Sequence, residues 1–205
     1  MPFENSDVIR NLSAPLPADR RAVFIVAALT RVLPIYQVYD ERHRGVRGHS
    51  AGWDALSGMV ALPLGRRWAT PEKAEQKIAH ALSVVANDAE WLENHTEFGV
   101  AEEMLQEVMQ ALLLVFKSWR KIDAELCLQV ANSVLEVDSI WAERRDDPIT
   151  VWVGVEEHFQ RLARDLQELA EARPENAIDV YRLVNGRAGR EAMSYLERAE
   201  ALRAK

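Results

Sequence analysis

The chain lacks most of the features that would announce a chemistry. It has one cysteine, Cys127, in 205 residues, so no internal disulfide forms, and a lone cysteine inside an apolar pattern reads as a small buried hydrophobe suited to a reducing compartment. There is no Gly-x-Gly-x-x-Gly, no phosphate-binding Gly-Lys-Ser/Thr loop and no Gly-x-Ser-x-Gly elbow. No segment alternates with period two for long enough to make a strand. The longest apolar run, Ala22 to Leu29, is eight residues, far below the ~20 needed to span a bilayer, and the first residues hold acids without a basic region or an apolar stretch, so no secretory signal is expected. The absences point to a cytoplasmic protein without membrane attachment, and to a binder more than an enzyme.

Charge is unevenly spread. Residues 71–143 hold 14 Asp and Glu against 5 Lys and Arg, a local charge of −9 inside a chain of net charge −7. Counterion release needs a surface that neutralises many phosphates, so direct nucleic-acid binding is not expected. An acidic field raises association rates with basic partners and selects among them.

Apolar residues, 48% of the chain, recur at helical spacing almost throughout. Val23, Phe24, Val26, Ala27, Ala28, Leu29, Val32 and Leu33 cover most of a helix circumference, which predicts a central helix from Ala18, kinked or restarted at Pro34 and running to about Asp40. Residues 50–68 read as a helix interrupted by Pro63 and Gly65. Thr70-Pro71-Glu72 is a start signal: Thr caps, Pro takes the first helical position and Glu faces the positive end of the dipole. Further helices are expected from about Gly99 to Trp119, after the cap Asp123, from Asp147-Pro148 to Arg173, from Pro174 to a stop at Gly186, and from Ala188 to Ala204, the last with Met193, Leu196 and Ala199 on one face and mixed charge on the other. The expected architecture is all-α: an N-terminal arm, residues 1–17, followed by one helical domain, 18–205, a bundle of seven or eight helices.

Three constellations bear on function. Glu103 and Glu107 share a helix face, but the Glu-x-x-His spacing of carboxylate-bridged metal bundles is missing, so neither metal nor cofactor is expected. Arg42, Arg44 and Arg47, in a glycine-containing loop, have the forks and backbone amides that suit an anion. Around the junction near residue 95, Asp88, Glu90, Glu93, Glu97, Glu102, Glu103 and Glu107 surround Trp91, an aromatic anchor with an acidic rim, which is the composition of an interface hot spot. Trp152 is a second tryptophan of interest. Val85-Ala86-Asn87 and Val130-Ala131-Asn132 recur, each upstream of a tryptophan.

The run Leu16-Pro17, Ala18 to Arg31 and Val32-Leu33-Pro34-Ile35-Tyr36, with Ala131-Asn132-Ser133-Val134 to Glu143, Pro148 and Trp152 to Leu166, resembles the YjaG-like proteins, small helical bacterial proteins without an assigned activity. The resemblance covers residues 12–170. It implies an all-helical fold and a bacterial cytoplasmic origin and carries over no functional residue. Three functions fit these observations: an interaction protein with a basic partner, most concretely an immunity protein that neutralises a toxin; an enzyme or small-ligand binder with a pocket near the arginine loop; and a homo-oligomeric structural protein.

Overall fold

The computed structural model describes the backbone of residues 2–44, 51–66, 69–94, 99–143 and 148–203, and their side chains except those of 2–5, 42–44, 143, 148–154 and 197–203. Eight α-helices follow in order, with no strand among the described residues: α1 (Pro2–Ser13), α2 (Ala18–Arg44), α3 (Ala51–Ala61), α4 (Pro71–Glu93), α5 (Val100–Ser118), α6 (Ala124–Glu143), α7 (Pro148–Glu171) and α8 (Ala177–Arg203).

Helix α2 is the axis of the bundle. Every residue from Ala22 to Tyr36 is buried, because α3, α5, α6, α7 and α8 all pack against it. It is long and apolar enough to cross a membrane, yet its apolar surface is almost entirely covered by the other helices. Pro34 does not restart the helix, which continues to Arg44. The ring removes one ladder bond, to the carbonyl of Thr30, and neighbours packed on every side hold the rest in register.

Side-chain pairs fix the directions of the helices. On α2 and α8, Asp19 meets Tyr181 and Arg31 meets Glu191, so the two run parallel. Arg20 reaches the carbonyls of Leu169 and Ala172 while Arg31 reaches Asp165, so α7 runs antiparallel to both. Tyr36 meets Asp88 and Tyr39 meets Trp91, which sets α4 parallel to α2. The even-numbered helices therefore all finish at the same end of the bundle.

The opposite end is closed by short turns and two arginines. Arg20 donates to the carbonyls of Leu169 (2.8 Å) and Ala172 (2.7 Å) at the end of α7. Arg21 donates to those of Ser13 (3.0 Å) and Ala14 (2.6 Å) after α1 and of Ile122 (3.2 Å) before α6. These are carbonyls that a helix end or a tight turn leaves without ladder partners, and cations there complement the dipole. The expected caps at this end are present: Thr70 Oγ1 accepts from the Lys73 amide and Asp123 Oδ1 from that of Leu126. After α3, which ends at Ala61, Gly65 takes the left-handed conformation (φ 66°) that a side chain would disfavour, in keeping with the interruption expected at Pro63 and Gly65.

Two boundaries differ from expectation. Residues 1–17 hold a helix where an arm was expected: Pro2 opens α1, where its missing amide costs nothing, and Ile9, Ser13 and Leu16 are buried as α1 packs on α6 and α7. Gly186 does not end a helix. Tyr181, Val184, Ala188, Ala192 and Tyr195 form one buried stripe at helical spacing, and packing against α2 carries α8 through both Gly186 and Gly189. Met193, on the apolar face expected for the last helix, is 57% exposed.

A methyl group at Gly189 would meet nothing within 4 Å, and at Gly186 only the flexible tip of Arg190 at 3.7 Å. Gly186→Ala and Gly189→Ala should each stabilise the protein by about 0.5–1 kcal/mol, since alanine favours helix and restricts the unfolded chain. Urea denaturation reads this directly. Were the helix to end at Gly186 in a left-handed cap, Gly186→Ala would destabilise instead.

Candidate functional site at one end of the bundle

Buried polar groups collect at the end where α2, α4, α6 and α8 finish. Asp40, Asp88 and Asp138 are all buried, and each lies within the last two turns of its helix. The helix dipole is negative there, so a carboxylate at such a position needs compensating donors.

Two of these aspartates belong to a repeated device. Asp88-Ala89-Glu90-Trp91-Leu92-Glu93 on α4 and Asp138-Ser139-Ile140-Trp141-Ala142-Glu143 on α6 share the pattern Asp-x-x-Trp-x-Glu. Each aspartate accepts a hydrogen bond from a tyrosine on another helix: Tyr36 of α2 donates to Asp88 Oδ2 at 2.6 Å, and Tyr195 of α8 to Asp138 Oδ1 at 2.7 Å. Each pair is a latch across the bundle. The Val-Ala-Asn recurrence is offset by 45 residues, not the 50 that relate the two aspartates, and is not part of this device.

At the first latch the tyrosine is part of an aromatic stack that reaches the surface. The Tyr36 and Tyr39 rings stack with centroids 6.2 Å apart, and Tyr39 meets the Trp91 indole at 5.9 Å. Trp91 is 39% exposed. The second latch includes His158 of α7, itself buried, whose Nδ1 lies 2.6 Å from Tyr195 Oη and closer still to Asp138 Oδ2.

Between the two ends a buried ionic seam joins α2, α7 and α8. Arg31, fully enclosed, donates from Nε to Glu191 (2.6 Å) and from Nη2 to Asp165 (2.7 Å). Asp165 also accepts from Arg187, which reaches Glu168 at 2.8 Å. Burial works against the Arg187 charge, but its bonds to Glu168 and Asp165 outweigh this and hold the guanidinium more firmly protonated than usual. The same bond, with help from Arg164, lowers the pKa of Glu168.

The acidic rim expected around Trp91 is only partly assembled. Glu90, Glu93 and Glu103 are exposed and available to a partner. Asp88 is not: it faces inward because Tyr36 supplies its donor. Glu102 is used locally, accepting from the Gly99 amide at 3.0 Å to cap α5. Glu107 faces α6 instead of the junction: burial raises its pKa, the charge of Glu136 raises it further, and a bond from Ser133 partly offsets both. Glu97 and Arg47, and the side chains of Arg42, Arg44 and Trp152, lie outside the described residues. Cys127 is buried and its thiol is pushed up to about 12, chiefly by burial, so it is protonated at neutral pH and not a nucleophile. Among the described residues no three His, Cys, Asp or Glu side chains group as metal ligands.

Sequence reading missed Arg31, the tyrosine latches and His158. A signal was present for the first two: Arg31 is the one charged residue between Val23 and Leu33, and Asp-x-x-Trp-x-Glu occurs twice. No family model, curated protein or solved structure matches the chain.

The raised pKa of Glu107 fixes the sign of a pH effect. A carboxyl whose folded pKa exceeds its unfolded one favours folding in its protonated form, and that contribution is lost as pH rises through the folded value. Glu107→Gln should therefore be more stable than the parent protein at pH 7, with the difference vanishing below the carboxylate range, as thermal melts at pH 7 and pH 3.5 would show.

Proposed function

We propose that the protein binds a basic protein partner through the surface around Trp91, and most concretely that it is a cytoplasmic immunity protein blocking a toxin that acts on nucleic acid. The observation that carries the reading is the Trp91 indole, over a third exposed while Tyr39, Tyr36 and the Asp88 latch fix it from behind. An aromatic side chain held in place before binding loses little entropy on association, and tryptophan anchors dominate interface energies. Glu90 and Glu93, exposed on the same turn, would steer a cationic partner. The single buried thiol suits the cytoplasm, and the resemblance to YjaG-like proteins suits a bacterial source.

The test is binding of the purified chain to the product of the adjacent gene, followed by calorimetry and stopped-flow kinetics. Trp91→Ala should weaken binding by at least about 2 kcal/mol, roughly 30-fold, as expected at a hot spot. Glu90→Lys with Glu93→Lys should slow association and flatten its salt dependence. Full affinity in Trp91→Ala would end this reading.

One surface favours a second reading, self-association. Leu183 and Met193 on α8 are 53% and 57% exposed, and Gly186 and Gly189 between them leave room for close approach of another helix. Sedimentation equilibrium showing only monomer at ~100 μM, far above the Kd of a specific dimer, would exclude it.

A further inference from the structure

Helix α8 has a second face that its own bundle does not use. It packs against α2 and α7 with the stripe Tyr181, Val184, Ala188, Ala192 and Tyr195, all buried. At about 3.6 residues per turn, the opposite side of the helix carries Asp179, Leu183, Gly186 and Arg190, and all four are exposed. Their spacing of four, three and four residues keeps them in one line, as in the seam of a two-stranded coiled coil. Met193 continues the line beyond Arg190. Three of the six large apolar side chains exposed among the described residues, Ile178, Leu183 and Met193, belong to this one helix, so they are more than singly scattered surface residues.

The line is complementary to its own reverse. Asp179 and Arg190 lie equally far from the midpoint between Val184 and Asn185, one on each side, and so do Leu183 and Gly186. Turned end for end about that midpoint, a second α8 sets its Arg190 opposite Asp179, its Asp179 opposite Arg190 and its Leu183 opposite Gly186. A parallel partner would instead set like charge on like and leucine on leucine. Each position gains from the antiparallel partner. Arg190 has no acid three or four residues away on its own helix. Asp179 meets Arg182 at 3.6 Å with both side chains more than half exposed, a pair of little strength, and a carboxylate can accept from a second guanidinium. Beside Gly186 there is only the tip of Arg190, so the packing of the single chain does not call for a residue that disfavours helix; a facing leucine does.

We propose that two copies of the chain form a two-fold dimer through antiparallel α8 helices, with Leu183 of each copy filling the space over Gly186 of the other and an Asp179–Arg190 pair on either side. A two-fold interface uses the same patch on both copies and must be self-complementary, as this line is. Large and small residues facing one another let the helices interdigitate, and the missing side chain at Gly186 lets the backbones approach closely. Met193 of each copy covers the first turn of the facing helix. The pairing rests on the self-association reading and is independent of the role of Trp91.

The test is sedimentation equilibrium of the intact chain at low ionic strength, where exposed charge pairs are least screened. The parent protein should be dimeric at ~100 μM. Asp179→Arg and Arg190→Asp should each raise the dimer Kd by about tenfold, because each turns two attractions into two repulsions. An equimolar mixture of the two variants should recover the parent affinity as a heterodimer, and the double variant, Asp179→Arg with Arg190→Asp, should recover it as a homodimer. Parallel helices would be indifferent to either single change, since like charges face each other there in every case. Thermal melts at a dilution that leaves the parent monomeric should place all three variants close to it, which separates a lost dimer from a lost fold. Monomer alone at ~100 μM would overturn both self-association and the pairing. A dimer that neither single change weakens, or that the mixture and the double variant do not restore, would leave self-association standing and overturn the pairing.

Discussion

The buried guanidinium of Arg31 is the constraint on which the arrangement of the bundle depends. A charge enclosed on the central helix is tolerable only if carboxylates surround it, and those carboxylates must arrive on the helices that pack there. Asp165 and Glu191 do so from α7 and α8, and Asp165 is held in turn by Arg187, which binds Glu168. Charges alternate along the seam, so no member can be removed without stranding its neighbour. Replacing a whole buried network by apolar residues is often neutral or stabilising, whereas removing one partner costs several kcal/mol. The value of the seam is therefore in specifying one packing: a rotated or slipped α8 would leave Arg31 enclosed without Glu191, an error far larger than the apolar contacts of a helix face could correct.

With α2, α7 and α8 fixed, the contrast between the two ends of the bundle follows. At one end arginines meet helix carbonyls, and cation and dipole reinforce each other. At the other, buried aspartates stand near the negative ends of α2, α4 and α6, where charge and dipole are opposed. Such positions are costly, and the tyrosine latches are the compensation: Tyr36 and Tyr195 bring hydroxyl donors from neighbouring helices, and His158 sets its Nδ1 beside Asp138 and Tyr195. The first end is built for stability. The second holds polar groups under tension, as functional sites commonly do.

Much of the fold was legible because its causes are local. Apolar spacing located the central helix and α4 to α7, and the caps of α4 and α6 were legible because Thr70 and Asp123 act on amides three residues away, while Pro71 fixes only its own backbone; the cap expected at Asp147 lies outside the described residues. What was not legible depends on partners distant in sequence. Asp88 read as a surface acid because Tyr36, its donor, lies 52 residues away. Arg31 was passed over because an isolated charge in an apolar run shows nothing of Asp165, 134 residues further on. Gly186 read as a helix stop because the propensity cost of glycine is local, whereas the stripe from Tyr181 to Tyr195 that overrides it depends on α2.

The same distinction decides what the acidic composition means. A net charge of −9 over residues 71–143 suggests a broad acidic surface, but its members are spent in different ways. Asp88 and Asp138 are buried in latches, Glu102 caps a helix, Asp123 caps another, and Glu75 is paired with Arg120. Formal charge does not vanish when it is buried, however. Enclosed carboxylates near helix C-termini contribute to the potential outside, and with less screening than exposed ones, because low-dielectric protein separates them from salt. At the Trp91 end the described acids thus divide into exposed glutamates, Glu90 and Glu93, and the inward-facing Asp88. On the proposed reading, fixed carboxylates beside a fixed indole would select a partner by the placement of its cations as well as by their number.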